Sequence, residues 1–214
     1  MKAPVTYRYR IHYEKQASVR FTSHLDLQRA WERIFRRASI PLAFTQGYHP
    51  HPRINLGLAL PLGWVSDCEL LDIWLTSAVP PEMLQTGIKQ SAPAGLAVQN
   101  IETVAVNSAK LQQLITAAQY KVRLDPSDIP ADLEQLVAAM LQQTSIMRDR
   151  RGKQYDLRPL IEDVQLIHKD GEMSLFMHLS ALPSATGRAD EVLLELGVDP
   201  LNVLIERSAI IQQS

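Results

Sequence analysis

The sequence predicts an α+β protein made of two tandem βαββαβ units with antiparallel sheets. Three observations lead there. Segments in which apolar and polar residues alternate one by one are interleaved with segments whose apolar residues recur every three or four positions. Proline and glycine clusters punctuate them at spacings that suit short strands and helices. The same element order then runs twice along 214 residues, a length that accommodates two small domains, expected at 1–106 and 117–214.

The first element is a strand over residues 5–13. Val5, Tyr7, Tyr9, Ile11 and Tyr13 lie on one side and Thr6, Arg8, Arg10 and His12 on the other, a half-buried strand with a basic outer face. A helix follows from His24 to about Ala38, capped by Ser23, with Asp26 complementing its dipole. Leu27, Ala30, Trp31, Ile34 and Ala38 share its apolar face, Arg29, Arg33, Arg36 and Arg37 the opposite one, and Pro41 prevents its continuation. Thr45–Arg53 is a loop, because neither Pro50 nor Pro52 can donate a backbone hydrogen bond. Strands are expected at Ile54–Leu60, Cys68–Leu75 and Gly95–Val104, with a helix opening at Pro80-Pro81. This order is the split βαβ, or ferredoxin-like, pattern.

Residues 105–116 read as a connector. The order then repeats with a strand at Ala118–Leu124 and a helix at Pro130–Gln143. Extended segments at Ser145–Asp149 and Tyr155–Val164 flank a basic tip, Arg148–Lys153. A strand at Met173–Leu179, a helix at Arg188–Leu196 and a strand at Leu201–Ile211 complete the second unit.

Charge is distributed unevenly. The chain has net charge −1, yet residues 1–60 carry ten Lys/Arg against three Asp/Glu, leaving 12 basic and 20 acidic residues in the remainder. A basic front of net +7 on an acidic remainder of net −8 suits an anionic partner, nucleic acid above all. Pairing of the arginines with the acidic half is the alternative. No apolar run approaches the roughly 20 residues of a membrane span, and MKAPVTYRYRIHYEK lacks the apolar core of a signal peptide. A cytoplasmic protein without membrane contact is expected. Cys68 is the single cysteine, which excludes an internal disulfide framework or a thiolate metal cluster.

RFTSHLDLQRAWERIFRRASIPLAFTQGYHPHPRINLGLALPLG, with DLRPLI and ATGRADEVL further on, resembles the radical-SAM-linked family of unknown function. Its domain occurs alone or fused after a radical-SAM enzyme. The resemblance implies a radical-SAM protein as neighbour. S-adenosylmethionine and an iron–sulfur cluster would belong to that partner, because this chain has no C-x-x-x-C-x-x-C motif and no cofactor is expected in it. His51 is an additional histidine where relatives are expected to carry one His-Pro step.

The candidate site is an anion- or nucleic-acid-binding surface formed by Arg20, Ser23, His24, Arg29, Arg33, Arg36, Gln46, Gly47, Tyr48, His49 and Arg53. Arginines at helical spacing suit forked contacts to successive phosphates. The helix start at Ser23-His24 favours anions. Gly47 permits close backbone approach, Tyr48 can stack on a base, and the flanking prolines stiffen the loop, which is expected to face the helix start. Each feature also has a structural reading: a cap, a solvated helix face, a rigid loop. No metal set is spaced convincingly, since His49 and His51 diverge in extended chain.

Three functions compete. The first is an RNA-binding module, for tRNA or rRNA, serving a radical-SAM modification enzyme. The others are a protein-docking subunit of that enzyme and an RNA-processing enzyme using His24 or His49 as general acid/base. A non-catalytic binding or accessory role is the expectation. The likeness of tandem ferredoxin-like units to CRISPR repeat-processing endoribonucleases is one of fold only.

Overall fold

The structure, a computed structural model, describes residues 6–150 and 152–213. Val5 of the expected first strand and Arg151 of the expected basic tip lie outside the described residues. The chain is a mixed α+β protein with mostly antiparallel sheet and few helices. It divides into two compact units at the Leu114–Ile115 junction. Among the described residues, no helix is long and apolar enough to cross a membrane.

The first unit contains β1 (Tyr7–Lys15), α1 (His24–Arg37), β2 (Ile54–Leu56), β3 (Val65–Leu75), α2 (Pro81–Ser91), β4 (Leu96–Val104) and the single turn α3 (Leu111–Leu114). β1 lies between β3 and β4 and is antiparallel to both, while β2 pairs with β3 through Ile54 and Ile73. The resulting strand order is β4-β1-β3-β2. Alternation delivers the core: Tyr9, Ile11 and Tyr13 of β1 and Leu71, Ile73 and Leu75 of β3 pack with Leu27, Trp31, Ile34 and Phe35 of α1 and Leu84 and Ile88 of α2. Trp31 meets Tyr13 edge-on at 4.9 Å and stacks on Phe35 at 5.4 Å. Helix α1 starts where the Ser23 hydroxyl accepts from Asp26 N–H at 3.2 Å. It ends in a Schellman motif, with Ser39 at φ 54° and Ile40 N–H donating to Phe35 O at 3.0 Å.

The second unit contains β5 (Ile115–Leu124), α4 (Leu133–Gln142), the hairpin β6 (Met147–Arg150) and β7 (Lys153–Asp156), β8 (Ile161–Lys169), β9 (Glu172–Leu182), the short β10 (Ala185–Thr186), α5 (Ala189–Glu195) and β11 (Ile205–Gln212). Antiparallel pairings give the order β11-β5-β9-β8, with β10 folded back on the end of β9. With the β6–β7 hairpin and the short β10 set aside, in both units the last strand pairs with the first, the first with the third and the third with the second. The β8–β9 turn places Asp170 and Gly171 at φ 52° and 80°, as a tight two-residue hairpin requires.

Several expectations change. The extended segment expected at Ile54–Leu60 stops at Leu56. Tyr155–Val164 is not one strand, because a turn at Arg158–Leu160 around Pro159 separates β7 from β8. Ile115 and Thr116, expected in a connector, already belong to β5. The connector itself lies on the first sheet, where Gln112 donates to Leu56 O at 2.5 Å. Cys68, expected as a small core residue because it lies in an apolar strand, is half-buried.

The largest correction concerns Arg8 and Arg10. They do not form a solvated basic face: they are 2% and 8% exposed, around an Asp72 that is 0% exposed. Arg8 donates to Asp72 at 2.5 and 3.0 Å and Arg10 at 2.9 and 3.2 Å. Arg8 also donates to the carbonyls of Ser108 and Ala109, at 2.5 and 2.7 Å. The chain after β4 thus reaches Arg8 and accepts from its guanidinium.

Candidate nucleic-acid interface

The solvent face of α1 sorts the arginine stripe into two kinds of residue. Arg29 pairs with Asp26 at 3.3 Å, and Arg37 donates to Ser91 O at 2.6 Å, tying the helix end to α2. Arg33 and Arg36 are exposed, and among the described residues neither has a hydrogen-bond or ion-pair partner. Arg36 and Arg37 occupy the last turn, where cations offset the negative end of the helix dipole.

The expected loop is a small antiparallel ribbon. Phe44 bridges Pro52, Thr45 N–H donates to His51 O at 2.8 Å, and His51 N–H donates to Thr45 Oγ1 at 3.0 Å. Gly47 takes φ 130°, which only glycine adopts readily. Gln46, Tyr48, His49 and His51 are all exposed, Tyr48 at 102% of its reference area. The root is held in the sheet: Ala43 N–H donates to Trp74 O at 2.7 Å, Arg53 N–H to Ala43 O at 2.8 Å and Trp74 N–H to Arg53 O at 3.1 Å. The Arg53 guanidinium lies 4.8 Å from the Trp74 ring, and that of Arg8 lies 4.9 Å from it.

The structure does not place this ribbon against the helix start. Leu42 bridges Leu75 and Thr76 N–H donates to Pro41 O at 2.9 Å, so the ribbon projects beside the end of β3 that pairs with Tyr7. Lys15 pairs with Ser66 at the other end of the sheet, and its ammonium donates to Arg20 O at 2.9 Å. Arg20, Ser23 and His24 therefore belong to the opposite end, a helix length of about 21 Å away. The physical reason is direction: α1 starts where β1 stops and runs back along it. Arg33 and Arg36 lie on the later turns of α1, away from Ser23-His24. His24 and His49 do not meet, which separates the two general acid/base candidates and the histidines that a shared metal would need.

Arg20 itself covers Phe21, with 4.8 Å from guanidinium to ring, and its carbonyl also accepts from Gly63 N–H at 3.0 Å. Phe21, Leu25 and Leu62 are large exposed apolar residues at this end. Residue-by-residue reading missed the Arg8–Asp72–Arg10 cluster under the ribbon root. One signal for it was present: Asp72 is the only charged residue between Leu70 and Leu75, and an acid in a buried run needs cationic partners.

In the second unit the expected basic tip is partly tied down. Arg148 reaches Glu191 at 3.5 Å and also contacts Glu195, which accepts from Gln143 at 3.0 Å. The Asp156 carboxylate accepts from Ile146 N–H at 2.8 Å and Arg158 N–H at 3.0 Å. The bond from Ile146 chiefly holds Asp156 below its usual titration range, against a smaller opposing effect of burial. Burial raises Glu195, but hydrogen bonds from Arg148 and Gln143 and the Arg148 charge outweigh it, so Glu195 is also lowered. Groups lowered on folding stabilise fully above their unfolded pKa and lose that effect as pH falls through the folded value. The backbone NMR shift of Ile146, whose N–H donates to Asp156, should therefore change at a lower pH than is usual for an aspartate. Movement near neutrality would contradict this anchoring.

Fold and surface thus define a class: an α+β protein of mostly antiparallel sheet with exposed arginines on one helix and an exposed, aromatic-tipped ribbon. The chain belongs to the family described as uncharacterized protein conserved in bacteria (DUF2344), which matches residues 8–189. No curated protein matches it. Among solved structures it is similar to an unknown protein from Galdieria sulphuraria, at 11% identity and TM-score 0.28 over 98% of this chain and 100% of that one. It is also similar to a candidate glycine cleavage system transcriptional repressor, at 8% identity and TM-score 0.25 over 98% and 99%. Likenesses at these TM-scores carry no argument about fold or function.

Proposed function

We propose that this protein binds RNA of the tRNA or rRNA class as a non-catalytic accessory module of a radical-SAM modification enzyme. One observation carries the RNA reading. Arg33 and Arg36 are exposed and have no partner among the described residues, and Tyr48 at the tip of the ribbon in the same unit is fully exposed. Guanidinium groups of this kind suit forked phosphate contacts, and an exposed tyrosine suits stacking on an unpaired base. The equal strand order of the two units supports reading them as tandem ferredoxin-like folds. The radical-SAM partner, with its S-adenosylmethionine and iron–sulfur cluster, rests on the sequence resemblance.

A second reading, docking on that enzyme, is favoured by the exposed Phe21, Leu25 and Leu62 at the end away from the ribbon. The two readings are compatible, since they use different ends of the unit. Isolating tagged protein from cells, with bound RNA and bound protein both recorded, tests them. RNA released by raised salt is the expected result. Recovery of a protein partner without RNA would leave only the docking reading, and recovery of neither would contradict both.

A further inference from the structure

The two units repeat one side-chain arrangement on the sheet face turned away from the apolar core. In the first unit Arg8 of the first strand is paired with Trp74 of the third, and Arg53 flanks Trp74 from the second-strand side. That row is closed. The chain at Ser108-Ala109 takes the Arg8 donors, and Trp74 is only 9% exposed.

In the second unit the corresponding row is Lys121, Phe176 and Gln165. Lys121 Nζ lies 5.7 Å from the Phe176 ring, matching the cation-beside-aromatic pair of the first unit. Here the row is open. A shallow groove of about 490 Å³ runs over Phe176 between Lys121 and Lys169, and a second of about 210 Å³ continues it past Ile167 to Gln119 and His178.

We propose that Phe176 is a stacking platform for an unpaired nucleobase of RNA; this rests on the RNA-binding reading above and extends it to the second unit. The chemistry around the ring suits a base better than an aliphatic ligand. Gln119 and Gln165 each offer donors and an acceptor, as base edges require. Lys121 and Lys169 have no ion-pair partner among the described residues and can meet phosphates. The nearby acids are largely engaged: Glu172 with Arg123 at 3.4 Å, Glu162 with His178 at 3.2 Å, and Asp163 with Gln165 at 2.6 Å. Asp170, in the β8–β9 turn, is the acid at the rim with no such partner among the described residues.

Fluorescence anisotropy with a short labelled oligouridylate and the matching duplex tests the proposal. The single strand should bind more tightly than the duplex, whose bases are already stacked. Phe176→Ala and Phe176→Leu should each weaken single-strand binding about tenfold or more, while Phe176→Tyr should retain it. Phe176→Leu keeps apolar bulk, so a folding defect confined to the alanine variant leaves the test intact. Unchanged affinity in the leucine variant, with loss in an Arg33→Glu/Arg36→Glu variant, would overturn this inference while sparing the RNA-binding reading. Failure of the wild type to bind any RNA would overturn both.

Discussion

Asp72→Ala lowers the free energy of unfolding by about 3–5 kcal/mol, the cost of breaking a buried ion pair from one side. The carboxylate is fully buried and receives hydrogen bonds from two arginines that are themselves buried. Arg8 keeps the Ser108 and Ala109 carbonyls in the variant, but carbonyl dipoles do not replace a full negative charge. Asp72→Asn preserves the shape and removes only the charge, so it should fall between wild type and alanine. Denaturant midpoints of the three proteins, read with their slopes, check the series. A loss below about 1 kcal/mol for the alanine variant would mean that the arginines regain water easily, and that the cluster is less closed than the geometry indicates. The variant should also loosen the ribbon, because Trp74 lies two residues from Asp72 and forms the ribbon's root.

Local signals made much of the first unit legible. Alternation through Tyr9, Ile11 and Tyr13 and the helical spacing of Leu27, Trp31 and Ile34 identified residues that are buried together. Ser23 marked the helix start, and Pro41 limited its end. Alternation tells which side of a strand a residue takes, not what covers that side. Arg8 and Arg10 were therefore expected in water, while both are buried around Asp72 and chain 100 residues further on meets Arg8.

The ribbon shows the same limit in another form. Its glycine and prolines announced a rigid loop, but its position depends on the β1–β3 register, which pairs Tyr7 with Leu75 and Lys15 with Ser66. That register separates the ribbon from Ser23-His24. In the second unit the extended character of Tyr155–Val164 concealed a break that Pro159 should have signalled. The open row at Phe176 emerges only when the strand pairings of the two units are set side by side.

Arg33→Glu/Arg36→Glu is expected to weaken RNA binding about tenfold or more at moderate salt while retaining the fold, because both side chains are exposed and have no hydrogen-bond or ion-pair partner among the described residues; loss of the Arg36 cation from the last helical turn should cost about 1 kcal/mol or less of stability. Arg29→Glu provides an internal comparison. Arg29 already faces the Asp26 carboxylate at 3.3 Å, so less of its charge is available and the effect should be smaller. Each phosphate contact contributes about one unit to the dependence of log affinity on log salt, so the double variant should show a slope shallower by roughly 1.5 to 2.

The salt dependence of tRNA affinity, measured for wild type and the double variant side by side, tests the central claim most directly. Strong salt-dependent binding by the wild type, with a weaker and flatter response in the variant, is the result expected if α1 and the ribbon form the RNA surface. Equal affinities and equal slopes would contradict it and place any RNA contact elsewhere on the chain.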